Sequence, residues 1–381
     1  MRRNSGACGK LSLKRCDCSL QQPMNRRTFL SVGLAAAQPA QRRAERVILI
    51  TVDGLRHQEV FQGIDPQLMN EKAAGMDRAT ALREALWRAT PKERSEALMP
   101  FFWKRFVPRG VLFGNRSLNS RVETANRFRV SYPGYAEILT GRTQDDRIQG
   151  NTKIQNPTPT LLEFLRHRFG WERDEVALFA SWETFRWIGE SRPGAVRINA
   201  GYQREEGSPR ARELSEFQLA ARTPWDEVRH DLVTLELALD YMQRVRPRLL
   251  YIALGETDDW AHDRRYDRTL QAIQFFDLAL DKVFALVDSL REFRERTAIF
   301  LTCDHGRGEG LAGWHSHGHQ ISGSEQCWLA ALGPGIAAKG QLANTEPVYL
   351  QDLAPTILEI LGVDYRQYPG IAGRPIAALF A

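Results

Sequence analysis

The strongest constraint on this chain is a series of strand-length apolar runs bounded by turns and separated by helical patterns. The runs are Arg46–Val52, Gly110–Gly114, Val176–Ala180, Leu249–Leu254, Ala298–Thr302 and Trp328–Leu332. Helical spacing of apolar residues fills the intervals, at Ala79–Trp87, Lys92–Phe106, Thr158–Phe169, Glu227–Val245, Tyr266–Ser289 and Leu350–Leu361. This alternation predicts a three-layer α/β/α sandwich with a mostly parallel central sheet covered on both faces. Sheets of this kind bind ligands beyond the carboxyl ends of their strands.

Carboxylates and imidazoles fall at those ends. Asp53 closes the first run, Asp258 and His262 follow the fourth, Asp304 and His305 follow the fifth, and His317 lies in Trp314-His-Ser-His-Gly-His319. Carboxylate oxygen and imidazole nitrogen are donors for hard and borderline divalent cations. Six such ligands plus a hydroxyl are too many for one tetrahedral ion. They suit two ions about 4 Å apart, a spacing that can hold both the attacking and the leaving oxygen of a displacement. The four-residue spacing of Asp258 and His262 puts both on one face of a helical turn.

Ser131 heads Ser131-Tyr-Pro-Gly-Tyr-Ala-Glu-Ile-Leu-Thr-Gly141, in which Pro133 is a good first-turn residue. A helix beginning there would place the hydroxyl at a helix N-terminus, where backbone N–H groups and the dipole favour an anion. A metal beside the hydroxyl would lower its pKa and make it a nucleophile near neutral pH. As a purely structural element Ser131 would be an N-cap. Arg142, Asn151 and Arg307 lie close in sequence to these motifs and are candidate contacts to a bound oxyanion.

In this order the residues resemble the alkaline phosphatase superfamily, particularly its nucleotide pyrophosphatase/phosphodiesterase-like (type I phosphodiesterase) branch, over roughly Val47 to Gly362. The resemblance implies that Asp53, Asp304 and His305 hold one zinc beside the nucleophile Ser131, itself a ligand. Asp258, His262 and His317 hold the second, with manganese an alternative metal. His317 is chosen over His315 and His319 because Gly318 follows it and because of its distance from Asp304. The implied activity is hydrolysis of a small phosphate ester, mono- or diester, through a phosphoseryl intermediate. Alternatives are a sulfatase or phosphonate hydrolase of the same superfamily, or a catalytically silent metal-binding envelope protein.

Departures from the family pattern bear on the substrate. Sulfatases carry Cys-x-Pro-x-Arg at the nucleophile; here Ser131 and Tyr135 stand at the Cys and Arg positions. The nucleotide diesterases commonly have Asn three residues after the nucleophile, where this chain has Gly134.

The chain has 381 residues, enough for one sizeable α/β domain, expected over 41–381 with cap insertions at about 69–106 and 181–217. Residues 1–40 read as a leader: Arg26-Arg27-Thr-Phe-Leu30 before a short apolar stretch resembles a twin-arginine export signal, implying use of that export machinery and a periplasmic location. No apolar run reaches the ~18 residues of a transmembrane span. The formal charge of +6 comes from the leader: it holds seven of the 52 Lys/Arg and one of the 46 Asp/Glu, leaving 45 of each. Nucleic-acid binding is therefore not expected. Cys8, Cys16 and Cys18 lie in the leader, and Cys303 and Cys327, on apolar segments, are expected as buried free thiols.

Overall fold

The computed structural model describes residues 43–380. The expected leader, with its export signal and three cysteines, lies outside the described residues. Eleven strands occur along the rest of the chain: β1 Arg46–Val52, β2 Val111–Phe113, β3 Val122–Glu123, β4 Val176–Ala180, β5 Arg197–Ala200, β6 Leu249–Leu254, β7 Thr297–Thr302, β8 Gln326–Cys327, β9 Leu329–Leu332, β10 Gly340–Gln341 and β11 Val348–Tyr349. Eight form the main sheet in the order β10-β2-β9-β7-β1-β6-β4-β5, and β11-β3-β8 form a small second sheet.

The centre of the main sheet is parallel, with β1 pairing β6 (Val47 opposite Leu249) and β7 (Val47 opposite Ala298). β9 runs antiparallel between β7 and β2. Every residue of β1, β4, β6 and β7 is buried, as a parallel sheet covered by helices on both faces requires. The fold is the α/β sandwich the alternation implies. Burying each Leu, Ile or Val of these strands contributes about 1.5–3 kcal/mol.

The helices are α1 His57–Gln62, α2 Thr80–Leu86, α3 Pro91–Leu98, α4 Ser131–Thr140, α5 Leu161–Phe169 and α6 Phe185–Ile188. After these come α7 Pro209–Ala220, α8 Asp231–Val245, α9 Glu256–His262, α10 Tyr266–Ser289, α11 Gly310–Gly313 and α12 Leu353–Ile360. The expected single helix Lys92–Phe106 is two pieces, because Pro100 cannot continue α3; a π-helical turn follows at Phe102–Phe106.

Both stretches expected as caps contribute to the sandwich. Within 69–106, Leu86, Leu98, Met99, Phe102 and Phe106 join the main core. Asp277 of α10 anchors this stretch by accepting the Phe101 and Phe102 N–H groups at 2.9 and 2.7 Å. Trp103 donates to the Val60 carbonyl at 3.2 Å. Within 181–217, Arg197–Ala200 is the edge strand β5, too short and too interrupted by polar residues to read as a strand from sequence.

No helix among the described residues is long and apolar enough to cross a membrane. Cys303 and Cys327 are free and buried.

Candidate active site

Three adjacent central strands, β7-β1-β6, deliver the acidic residues. Asp53 is the residue after β1, Asp304 comes two residues after β7, and α9, carrying Asp258 and His262, starts two residues after β6. Gly54 makes this convergence possible. Its φ of +58° is a left-handed turn, and its N–H donates to Asp304 Oδ1 at 3.0 Å. A β-carbon on Gly54 would lie 2.6 Å from Asp258 Oδ1, 2.9 Å from Arg307 Nε and 3.2 Å from the His305 ring.

His305, fully buried, is the hub. Its Nε2 lies 3.4 Å from Asp53 Oδ1, 3.4 Å from Asp304 Oδ2, 3.8 Å from Asp258 Oδ1 and 3.4 Å from the Ser131 hydroxyl. Its Nδ1 is 2.9 Å from the Gly306 carbonyl, which fixes a proton there and aims Nε2 at the carboxylates. His317 repeats the device, with Nδ1 3.2 Å from the Arg129 carbonyl and its ring stacked 3.8 Å from that of His305. Arg129 takes a left-handed φ of +55° to present that carbonyl. His262 Nε2 lies 3.0 Å from His317 Nε2 and 3.2 Å from Asp258 Oδ2. His319 is exposed and His315 is half-buried like His317, so it is the contacts of His317 with His305, His262 and Asp258 that set it apart.

Two groups of ligand atoms result, each with all members within 4.8 Å: Asp53, Asp304 and His305, and Asp258, His305 and His317. His305 belongs to both, and His262 borders the second. Asp53 Oδ1 and Asp304 Oδ2 are buried without a hydrogen-bond partner, a costly arrangement that a bound cation would relieve. Electrostatics agree. Burial and the neighbouring Asp53 charge push Asp304 well above the usual carboxylate range. Burial opposes a charge on His305, but Asp304 and Asp53 outweigh it and hold the imidazolium up to about 9. The donor set and its orphaned oxygens fit divalent cations.

Ser131 is the first residue of α4, behind Val130 in extended conformation. Its hydroxyl faces His305 and is not spent as a cap. Tyr135, one helical turn on, donates its hydroxyl to Asp53 Oδ2 at 3.0 Å, fixing the carboxylate so that Oδ1 faces the histidine. Sequence reading missed this role, although the i, i+4 spacing from Ser131 carries the signal. Gly134 is explained by close approach: a β-carbon there would sit 2.2 Å from the Asp304 carbonyl oxygen, so no side chain at this position could reach an oxyanion. Glu137, fully buried, accepts from the N–H groups of Ala125, Asn126 and Gln351 and ties α4 to two loops.

The three expected oxyanion contacts fare differently. Asn151 meets the head of α4, its Oδ1 accepting the Tyr132 N–H at 2.9 Å. Arg142 is a correction: it follows α4 at the far end, about 15 Å from Ser131 by helical rise, and donates to Thr158 Oγ1 at 2.8 Å. Arg307 lies in the site, 2 % exposed, with its Nη2 bonded to Asp258 and its Nε and Nη1 buried without a hydrogen-bond partner.

No family model matches the chain. A sulfatase, ppz1, of Metarhizium majus is 30% identical over 112 residues, 27% of this chain, and the chain spans 24% of that protein's length. Among solved structures, alkaline phosphatase PafA superimposes with a TM-score of 0.60 at 12% identity, covering 90% of this chain and 100% of that one. The phosphonate monoester hydrolase SpPMH of Silicibacter pomeroyi gives 0.53 at 14% identity, covering 87% and 76%. The 2-O GAG sulfatase BT1596 gives 0.53 at 14%, covering 88% and 73%.

Proposed function

This chain is built on the alkaline phosphatase-superfamily fold, and from that premise we propose that it is a two-metal hydrolase of phosphoric esters with Ser131 as nucleophile. One observation carries the reading: the Ser131 hydroxyl, at the head of a helix, faces the imidazole shared by two carboxylate–histidine groups. Asp53, Asp304 and His305 would hold one ion, and Asp258, His262 and His317 the other, with His305 in reach of both. Zinc is first choice and manganese second for this donor set. Bound there, the ions would lower the hydroxyl pKa, neutralise the phosphoryl oxygens and activate the hydrolytic water.

The chain's own residues do the rest. Ser131 Oγ forms the new O–P bond as the ester oxygen departs in line, and the proton lost by Ser131 ends, through solvent, on that departing oxygen. The Ser131 N–H and the Asn151 amide nitrogen would orient the phosphoryl oxygens, since the Tyr132 N–H is taken by Asn151 Oδ1 and the Gly134 N–H by the Val130 carbonyl. Water then breaks the Ser131–phosphorus bond, its oxygen going to phosphorus and one of its protons to Ser131 Oγ, releasing phosphate from a monoester or the remaining monoester from a diester. Gly54, Gly134 and Tyr135 hold the acids in place.

Sulfate and phosphonate esters are the second reading, favoured by the sulfatase and phosphonate hydrolase relatives. Ser131 and Tyr135 in place of Cys and Arg weigh against sulfate. The leader supports export to the periplasm. The test is hydrolysis of p-nitrophenyl phosphate, bis-p-nitrophenyl phosphate and p-nitrophenyl sulfate before and after chelation. Chelator-sensitive cleavage of a phosphate ester above the sulfate is expected; sulfate cleavage alone would transfer the chain to the second reading. A folded, zinc-resupplied protein that cleaves none of them would favour the silent binding protein.

A further inference from the structure

We propose that the two metal positions are unequal by construction, the Asp258 position binding its cation weakly and exchangeably because Arg307 already occupies its carboxylate. The inference rests on the two-metal reading above.

Each acid of the first position has a neutral partner. Asp53 Oδ2 takes a hydrogen bond from the Tyr135 phenol, and Asp304 Oδ1 one from the Gly54 N–H. The second oxygen of each has no hydrogen bond and faces His305 Nε2 at 3.4 Å, a residue that would share the ion with it. Asp258 differs. Arg307 Nη2 donates to both its Oδ1 and its backbone carbonyl. That same Oδ1 lies 3.8 Å from Nε2 of His305 and of His317, so it is the oxygen that completes the second group. The Arg307 side chain is 1% exposed, so water screens its charge little.

The hydrogen bonds of Arg307 go to Asp258, while the Asp53 and Glu59 carboxylates attract its charge through space. The adjacent Arg56 is neutralised by Glu59 and approaches Asp65 at 3.5 Å. The bare Gly54 leaves the space that Arg307 fills, its β-carbon position being 2.9 Å from Arg307 Nε. A divalent ion at the first position therefore meets two carboxylates whose facing oxygens are engaged only by its fellow ligand His305. An ion at the second meets one carboxylate that a fixed guanidinium already balances, and is repelled by that guanidinium. The functional consequence is an enzyme that keeps one ion through purification and takes up its second only as free metal rises.

The test is calorimetric titration of the metal-stripped full chain with Zn²⁺. Two steps are expected, the second with a dissociation constant at least about tenfold above the first. Arg307→Gln should tighten the second step by about tenfold, and Arg307→Lys, which keeps the charge, should preserve the gap. Asp258→Asn should remove the weak step and leave the tight one, a readout that stands even where a substitution at the buried Arg307 fails to fold. Two equal steps in the native chain, or a gap unchanged by Arg307→Gln, would overturn the inference while leaving the two-metal reading intact. Absence of any zinc binding would remove both.

Discussion

Gly134 of α4 packs directly on the backbone of Asp304, its missing β-carbon 2.2 Å from the Asp304 carbonyl oxygen. This contact sets the distance between the nucleophile helix and the strand end that carries Asp304 and His305. Gly134→Ala should therefore push α4 away from β7, costing about 1–3 kcal/mol of stability. Displacing Ser131 by a fraction of an ångström should lower turnover about 10–100-fold. Thermal unfolding and steady-state kinetics on one preparation check both; an unchanged turnover would separate this contact from catalysis.

Tyr135 acts on the first metal position through Asp53. Tyr135→Phe removes the hydroxyl and leaves the ring packed on Phe185, 4.6 Å away. Zinc affinity at the tight step should fall about tenfold, as for other groups that orient a ligand. Competition with a chromophoric chelator measures this, with circular dichroism confirming the fold.

The pH dependence follows from His305. Its folded pKa is raised, so in the metal-free protein the bound proton stabilises the fold fully below pH 6.5, and that contribution is lost as pH rises through about 9. A cation at Nε2 must displace this proton. Zinc affinity at the first position should therefore fall as pH drops from 9 toward 7, by up to about tenfold per unit, with about one proton released on binding the first ion near pH 7. Calorimetry in buffers of different ionisation enthalpy counts the protons.

How legible the molecule is from sequence depended on whether the signal was local. β1, β4 and β6 match their apolar runs residue for residue, because strands buried on both faces must be apolar throughout. Tyr266–Ser289 was equally plain, a long amphipathic period without a breaker. β5 was not legible: its edge position lets Arg197 and Asn199 alternate with apolar residues over only four positions. Asp53, Asp304, His305 and Ser131 were readable as a set, since the first three follow strands and Ser131 opens a helix. Arg142 was misplaced because closeness in sequence to Ser131 spans a whole helix in space. The pairing of Arg307 with Asp258 joins residues 49 apart, and no local pattern encodes it.

Ser131→Ala, assayed for bound zinc and for hydrolysis of phosphate esters, tests the central claim most directly. The account expects both ions to remain on zinc-saturated protein, since six other ligands stay in place, and turnover to fall by about three orders of magnitude or more, equivalent to about 4 kcal/mol of barrier. A variant that keeps its metal and still hydrolyses the ester at the native rate would contradict the assignment of Ser131 as nucleophile.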